Sequence, residues 1–178
     1  HAPMELTKLC IPHMRRQSSG RIINISSVSG MMAMPTMGSY SASKFALEGA
    51  SESLWYELKA WGIYVTLVQP GFIRSNSFKN VYRSKKSTSS NLYAPFYEHM
   101  GSFVEKLMAN AFATPESISK AVYDIITDPS PPLRVIPSFD SKFFFFLRRF
   151  LPRKFYHWLL YRSLPHIKKW EMHALHNT

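Results

Sequence analysis

Two short runs of mostly β-branched and leucine residues constrain the fold of this chain more than any other feature. They cover residues 21–26, which hold three isoleucines, and residues 63–69, which hold two valines, an isoleucine and a leucine. Strands that are buried on both faces of a parallel sheet have this composition, whereas strands with one face in water alternate. Helical apolar patterns at residues 3–17 and 38–61 precede and separate the two runs. This order predicts an α/β layer fold with a parallel sheet.

The second half of the chain predicts further helices and one more strand. Residues 74–95 are polar and without periodicity, which predicts a mobile loop. A helix is predicted next, at residues 97–112. A second helix begins with its N-cap at Thr114 and Pro115 in its first turn and ends at Thr127, and a short strand follows at 133–136. Residues 140–175 alternate aromatic and basic side chains, and we expect helices there that break at Pro152 and Pro165. The sequence therefore predicts one truncated domain over residues 1–138 and a basic, aromatic helical tail over residues 139–178.

The net charge of the chain is strongly positive and unevenly distributed. The formal charge is +11 at pH 7, and residues 134–178 hold nine Lys or Arg against two acids, a surplus of seven. Such a surplus suits nucleic acid, an anionic membrane surface or an anionic cofactor. Because the basic residues follow apolar helical patterning and no recognition motif is present, nucleic acid is the least favoured partner, and we expect none.

Cysteine and histidine usage narrows the class of protein. Cys10 is the one cysteine, so an internal disulfide is excluded, and this fits a reducing, cytoplasmic compartment. The seven histidines are scattered, and no Cys, His or carboxylate group has metal-ligand spacing, so we expect no metal site. The longest apolar run near the tail, residues 143–147, is far too short to span a bilayer.

Tyr40 and Lys44 lie one helical turn apart, on one face of the helix predicted at residues 38–61. A free tyrosine ionises near pH ~10, and a fixed ammonium beside it favours the phenolate. A serine pair, Ser26 and Ser27, ends the first predicted strand, at the sheet edge where α/β proteins place their chemistry. A serine hydroxyl aimed at the same point can hold a carbonyl or alcohol oxygen. Together these groups predict a proton-transfer site for alcohol–ketone chemistry.

The order and spacing of four segments resemble the short-chain dehydrogenase/reductase family. The segments are Gly20-Arg21-Ile22-Ile23-Asn24-Ile25-Ser26-Ser27, Gly30, Tyr40-Ser41-Ala42-Ser43-Lys44 and Val68-Gln69-Pro70-Gly71. A lone Tyr-x-x-x-Lys occurs by chance in many helices, but the joint pattern is specific and covers roughly residues 1–137. The resemblance implies the C-terminal part of a Rossmann-like, doubly wound parallel sheet.

The resemblance also implies a role for each matching position. Ser27 would orient the substrate oxygen, Tyr40 would be the general acid/base, and Lys44 would favour the phenolate and hold the ribose hydroxyls of the nicotinamide. The implied contacts with NAD or NADP are Tyr40, Lys44, Pro70, Gly71, Ile73 and Ser75, and the implied substrate contacts are Ser27, Val28 and Phe72. Gly71 would also permit a sharp turn after the second strand.

Two neighbouring side chains of the first strand have structural interpretations. We expect Ser26 to bond to backbone at the strand end. Asn24 is expected to point into the sheet layer.

The family's glycine-rich, pyrophosphate-binding turn is absent from this chain, because none of the seven glycines forms such a cluster. That segment would lie before His1, so we expect the C-terminal portion of a longer enzyme in which residues 21–26 lack one strand neighbour. An apolar strand edge and one helix layer would then be exposed. We expect the chain alone to bind cofactor poorly and to be inactive, and the choice between NAD and NADP is undetermined.

The aromatic and basic tail, residues 143–162, resembles more loosely the branch of 17β-hydroxysteroid and retinol dehydrogenases. This implies an apolar alcohol or ketone substrate, such as a steroid, a retinoid or a lipid-like carbonyl. The tail also suits a helix at a membrane surface, or a cover over the substrate cleft, and both alternatives stay open. The family implies a homodimer or homotetramer. The rival interpretation is an inactive fragment that acts as a binding or membrane-surface module.

Overall fold

Residues 2–75 and 93–167, as a computed structural model describes them, form three strands and six helices. In chain order they are α1 (Ala2–Arg16), β1 (Gly20–Ile25), α2 (Gly38–Lys59), β2 (Ile63–Val68), α3 (Ala94–Ala109), α4 (Pro115–Thr127), β3 (Arg134–Val135), α5 (Phe139–Phe150) and α6 (Arg153–Ser163). A single 3₁₀ turn, Val28–Gly30, follows β1.

The three described strands form one parallel sheet in the order β1-β2-β3. Ile22 of β1 pairs with Val65 of β2, and Leu67 of β2 pairs with Arg134 of β3. Among the described strands β2 is the central one, which explains why five of its six residues, Thr66 included, are buried. The predicted α/β fold with a parallel sheet is confirmed.

Helices cover both faces of the sheet. On one face, Ile22, Ile63 and Val65 pack with Leu58 of α2. On the opposite face, Val68 packs with Ile118 and Ile125 of α4, and Ile23 lies against the same cluster. The adjacent residues Ile22 and Ile23 therefore belong to different layers, as the pleat of a strand requires, and the sheet is doubly wound. Burial of each such side chain contributes about 1.5–3 kcal/mol.

Both ends of α4 have polar partners that the sequence places there. Thr114 accepts a hydrogen bond from the Ser117 N–H, the Ser117 hydroxyl bonds back to the Thr114 backbone, and Pro115 occupies the first turn, so the predicted N-terminus is confirmed. At the other end, the Arg21 guanidinium of β1 donates to the carbonyls of Ile125 and Asp128. A cation there satisfies carbonyls that the helix leaves without partners and offsets the helix dipole.

Three expectations about helices and loops need correction. The apolar stripe predicted for the first helix is only partly buried: Met14 packs on the core, but Leu6 and Leu9 are 64% and 71% exposed. The loop predicted at residues 74–95 falls mostly outside the described residues, and its last two residues belong to α3 instead. That helix spans Ala94–Ala109, about three residues earlier than the prediction of 97–112, because a proline in the first turn favours an earlier start.

The tail packs onto the loop that follows β1. Phe144 and Phe145 of α5 and Leu160 of α6 contact the cluster of Val28 and its neighbour Met31. The helices end at Phe150 and Ser163, so the breaks predicted at Pro152 and Pro165 are confirmed. The tail thus lies beside the residues that follow Ser27.

Among the described residues, no helix combines the length and the apolar character that a membrane crossing needs.

The turn between α2 and β2 gives a test of the fold. Gly62 has a φ of +67°, and a Cβ there would lie 2.7 Å from the Ser18 carbonyl oxygen. We therefore expect Gly62→Ala to lower the free energy of unfolding by about 1–2 kcal/mol or more, measured by urea denaturation of the full-length protein. Gly49→Ala, in open space on α2, is the matched control and should raise stability by about 0.5–1 kcal/mol. Equal effects of the two substitutions would contradict this account of the turn.

Candidate proton-transfer site at the carboxyl end of the sheet

Lys44 joins the helix that carries Tyr40 to the end of β1. Its Nζ donates a hydrogen bond of 2.8 Å to the Ile25 carbonyl, and the same Nζ lies 5.6 Å from the centroid of the Tyr40 ring. Tyr40 is 42% exposed. Because Ile25 directly precedes the serine pair, one ammonium lies beside the tyrosine ring and bonds to the end of the strand that leads into Ser27.

Ser27 is a buried residue that begins the 3₁₀ turn. Its Oγ accepts a hydrogen bond of 3.1 Å from the Ser29 N–H, and the next residue, Val28, donates its N–H to the Pro70 carbonyl at 2.8 Å. A hydroxyl has two acceptor lone pairs and one donor hydrogen. By accepting from Ser29, the Ser27 hydroxyl keeps its own hydrogen for another oxygen.

The expected role of Ser26 is wrong. Its Oγ is buried and has no hydrogen-bond partner within the described part of the chain, so it does not bond to backbone at the strand end. A Cβ at Gly30 would lie 2.7 Å from this Oγ and 2.9 Å from Glu48 Cγ, so the loop folds tightly over Ser26. Asn24, expected to point into the sheet layer, is buried against the helix layer instead, where its amide donates to Ser51 Oγ of α2 at 2.9 Å.

The charge of Lys44 is balanced by a buried carboxylate. Partial burial lowers the pKa of Lys44 from its ordinary value, and the attraction of Glu48 opposes this by raising it. Glu48 is itself held by Arg134 of β3, whose Nε donates to it at 3.1 Å, while a second guanidinium nitrogen donates to Glu52 at 2.6 Å. Burial alone would lower the pKa of Arg134, but the hydrogen bonds to Glu52 and Glu48 raise it. An alternating row of charges therefore runs from the site to β3.

The predicted cofactor-contact segment follows β2 and runs from a buried start at Pro70 to an exposed end at Ser75. Pro70 is buried, Phe72 packs on the cluster of Met100 and Val104, and Ile73 pairs with Ala113 in an isolated bridge. Ser75, the last described residue before the gap, is exposed to solvent.

The interpretation of Gly71 needs a correction. Its φ lies outside the left-handed region, so a sharp turn is not what requires glycine here. Instead, a Cβ at Gly71 would collide with the carboxylate of Asp140 from α5. The glycine permits the close approach of a carboxylate to the backbone.

An open cleft of about 430 Å³ lies beside this site without including it. Its lining includes Glu48 and Gln69, each with a buried side-chain Oε1 that has no hydrogen-bond partner in the described segments, and the bases Arg134, Arg148 and Arg149. None of the three predicted catalytic residues lines it.

Sequence reasoning missed Glu48, Arg134 and Asp140. Glu48 follows Lys44 by one helical turn, and that spacing is a signal for an ion pair on α2. Arg134 and Asp140 gave no such signal, because their partners lie 86 and 68 residues away in sequence. Within residues 2–75 and 93–167, no group of three or more His, Cys, Asp or Glu side chains is placed to hold a metal ion.

Residues 1–86 match the family model of the short chain dehydrogenases. The chain is 37% identical over 131 residues to 3-ketodihydrosphingosine reductase of Bacteroides thetaiotaomicron, which covers 74% of this chain and 48% of that protein. It is 26% identical over 172 residues to human 17-beta-hydroxysteroid dehydrogenase type 6, covering 91% of this chain and 54% of that protein. A match over 91% of the chain is longer than residues 1–138, so this second match includes part of the tail. The chain spans about half the length of each relative.

Solved structures have the same fold. A short-chain dehydrogenase from Streptomyces avermitilis superposes with a TM-score of 0.59 at 28% identity, over 79% of this chain and 49% of that one. A short chain dehydrogenase/reductase from Burkholderia phymatum in complex with NAD superposes with a TM-score of 0.58 at 19% identity, over 71% and 47% of the two chains. The predicted Rossmann-like architecture is confirmed.

The charge balance at Lys44 gives a second test. We expect NMR titration of labelled lysine side chains in the full-length protein to give Lys44 a pKa below its ordinary 10.5. Glu48→Gln should lower that pKa further, because it removes the attraction of the carboxylate, whereas Glu57→Gln on the same helix should not. At pH values between the lowered pKa of the folded state and 10.5, Lys44 holds its proton more often in the unfolded chain than in the folded protein. In that pH range the contribution of Lys44 to the free energy of unfolding should therefore rise with pH. A pKa at or above 10.5 would overturn the burial argument.

Proposed function

Because this chain belongs to the short-chain dehydrogenase/reductase family, we propose that it supplies the catalytic residues of an NAD(P)-dependent oxidoreductase. The reaction is the interconversion of a secondary alcohol and a ketone. The observation that carries the proposal is the position of the Lys44 ammonium, which bonds to the Ile25 carbonyl and lies beside the ring of Tyr40. A Tyr-x-x-x-Lys pair occurs by chance on many helices. A chance pair has no reason to bond to the end of the strand that leads into Ser27, as Lys44 does.

The residues of the site fit a nicotinamide cofactor. An ammonium has three donors, and the Ile25 carbonyl accepts one from Lys44, so the same group can also reach ribose hydroxyls. The backbone of Pro70, Gly71 and Ile73 and the hydroxyl of Ser75 would meet the nicotinamide end. When bound, NADH or NADPH would supply the hydride for reduction, and NAD or NADP would accept it in oxidation.

In the direction of reduction, Ser27 donates its hydroxyl hydrogen to the ketone oxygen and orients the carbonyl. Tyr40 gives its phenolic proton to that oxygen as the carbon receives the hydride, so the product is the secondary alcohol. Tyr40 is left as a phenolate, which the Lys44 ammonium stabilises. Oxidation follows the same steps in reverse, with the phenolate as the base.

We propose an apolar substrate, such as a steroid, a retinoid or a lipid-like ketone. Val28 and Phe72 would contact it, and the apolar cluster of Phe144, Phe145 and Leu160 beside Val28 supports this class. The names of the two relatives, a 3-ketodihydrosphingosine reductase and a 17-beta-hydroxysteroid dehydrogenase, point the same way. A homodimer or homotetramer in a cytoplasmic setting completes the proposal.

Tyr40→Phe tests the catalytic assignment. The test uses the complete oxidoreductase to which this chain is proposed to supply the catalytic residues. In that enzyme we expect turnover of a ketone with NADH or NADPH to fall by at least about a hundredfold, because the proton donor is lost. Tyr123→Phe, at an exposed tyrosine on α4, should keep wild-type turnover, and circular dichroism should show both variants folded. Near-normal turnover by Tyr40→Phe would remove Tyr40 from the mechanism. Wild-type protein without any cofactor-dependent turnover would favour the inactive binding module instead.

We propose in addition that the tail contacts an anionic membrane surface. Four phenylalanines of α5, exposed to 78, 51, 54 and 71%, are spaced by four, three and four residues and form one helix face: Phe139, Phe143, Phe146 and Phe150. Residues 139–163 contain six bases against one acid, a surplus of five. An apolar helix face with basic neighbours fits the headgroup region of an anionic bilayer, whereas an apolar protein partner would not need the charge.

Co-sedimentation with lipid vesicles tests this contact. The full-length protein should sediment with phosphatidylcholine vesicles that contain phosphatidylserine, and less at high salt. We expect Phe143→Ser/Phe146→Ser and Arg149→Glu/Arg153→Glu each to reduce binding about tenfold. The matched controls Tyr123→Ser/Ile126→Ser on α4 and Lys8→Glu/Lys106→Glu elsewhere should bind as wild type. Absence of wild-type sedimentation at low salt would mean that another segment or a second copy covers this face.

A further inference from the structure

Three side chains in and beside the first turn of α5 hold the backbone of the turn that follows β2. The hydrogen bonds, donor first, are Ser141 Oγ to the Gln69 carbonyl (2.6 Å), the Gly71 N–H to Ser138 Oγ (2.9 Å) and the Phe72 N–H to the Asp140 carboxylate (2.7 Å). Ser138 and Ser141 are buried, at 5% and 0% exposure. Hydrogen bonds in such surroundings are stronger than in water, and one to a carboxylate is stronger still.

The Asp140 carboxylate lies so close to Gly71 that no residue with a Cβ fits at position 71 without a shift. A Cβ at Gly71 would occupy the space of the Asp140 carboxylate, and the ordinary φ of Gly71 gives no other reason for glycine. Asp140 lies in the first turn of α5, where the helix dipole favours a negative charge. The turn and the tail helix are thus fitted to each other at one point, and a substitution on either side disturbs the other.

The same turn also contacts the loop that carries Ser27. The Val28 N–H donates to the Pro70 carbonyl at 2.8 Å. A shift of the turn would therefore move the backbone next to Ser27. The first turn of α5 is connected in this way to two parts of the candidate site, although no residue of α5 belongs to the predicted catalytic trio.

We propose that Asp140 is a positioning residue for the reaction: through Phe72 and Gly71 it sets the backbone that faces the nicotinamide, and through Pro70 the loop of Ser27. This inference rests on the proposed function, which places the cofactor against the turn. The tail is then part of the catalytic architecture, in addition to any contact with lipid. A misplacement of the reacting groups by about 1 Å can cost on the order of a hundredfold in rate.

Asp140→Ala and Asp140→Asn in the full-length protein separate positioning from simple stability. Asp140→Ala removes the acceptor of the Phe72 N–H, so we expect the KM for the cofactor to rise and kcat to fall, each by about tenfold. Hydrogen exchange at the Gly71 and Phe72 amides should become faster, because their partners are lost or displaced. Asp140→Asn keeps an acceptor oxygen and should restore both constants to within about threefold of wild type.

Asp124→Ala, at an exposed acid on α4 that pairs with Lys120, is the matched control and should leave KM, kcat and exchange at the turn unchanged. Ser138→Ala is a milder second variant, for use if Asp140→Ala does not fold, and should raise the KM for the cofactor about threefold. A purely structural role would lower the melting temperature of the Asp140 variants without moving KM or exchange at the turn, and this result would overturn the inference. If the wild type is active and Asp140→Ala leaves KM, kcat and hydrogen exchange unchanged, this inference alone is wrong. If the wild type folds normally but is inactive, the proposed function is wrong.

Discussion

The ammonium of Lys44 is the contact on which the rest of the site depends. It donates to the carbonyl at the end of β1 and lies 5.6 Å from the ring centroid of Tyr40 on its own helix. One side chain thus links α2 to the strand that leads into Ser27. In the proposed mechanism the same positive charge favours the phenolate that proton transfer leaves behind.

The partly buried charge of Lys44 has an energetic cost, and residues outside the candidate site offset it. Burial disfavours the charged form of Lys44, and Glu48 favours it. Arg134 Nε donates to Glu48 at 3.1 Å, and this contact ties α2 to β3. Loss of Glu48 would leave Lys44 and Arg134 with fewer partners, which is costly because both cations are partly buried. The core on both faces of β2 keeps these groups in place.

The tail helices pack against the candidate site. Phe144 and Phe145 cover the loop after β1, and Asp140 approaches the backbone at Gly71. The outer face of α5 keeps its other phenylalanines in solvent. One helix therefore has an inner face that contacts the candidate site and an outer face suited to an apolar, anionic surface, which is consistent with a substrate that dissolves in lipid.

Local patterns in the sequence predicted most of the elements. The apolar runs and the N-cap at Thr114 both depend on neighbours in the chain, and the structure confirms them. The errors concern contacts between distant residues. The exposure of Leu6 and Leu9 depends on what packs on α1, and helical spacing alone cannot give that.

The role of Gly71 shows the same limit, because its reason lies 69 positions away at Asp140. Among the site residues, the Tyr40–Lys44 pair was predictable because both lie on one helix. The bond from Lys44 to the Ile25 carbonyl needed the tertiary structure.

The pH dependence of alcohol oxidation, in wild type and in Lys44→Met, tests the central claim most directly. If the Lys44 ammonium stabilises the phenolate of Tyr40, removal of the charge should move the rising limb of kcat/KM to higher pH by at least about one unit. The matched substitution Lys59→Met, at the far end of the same helix, should leave the limb in place. A rising limb at the same pH in wild type and Lys44→Met would contradict the account, because the proton transfer would then not depend on that amine.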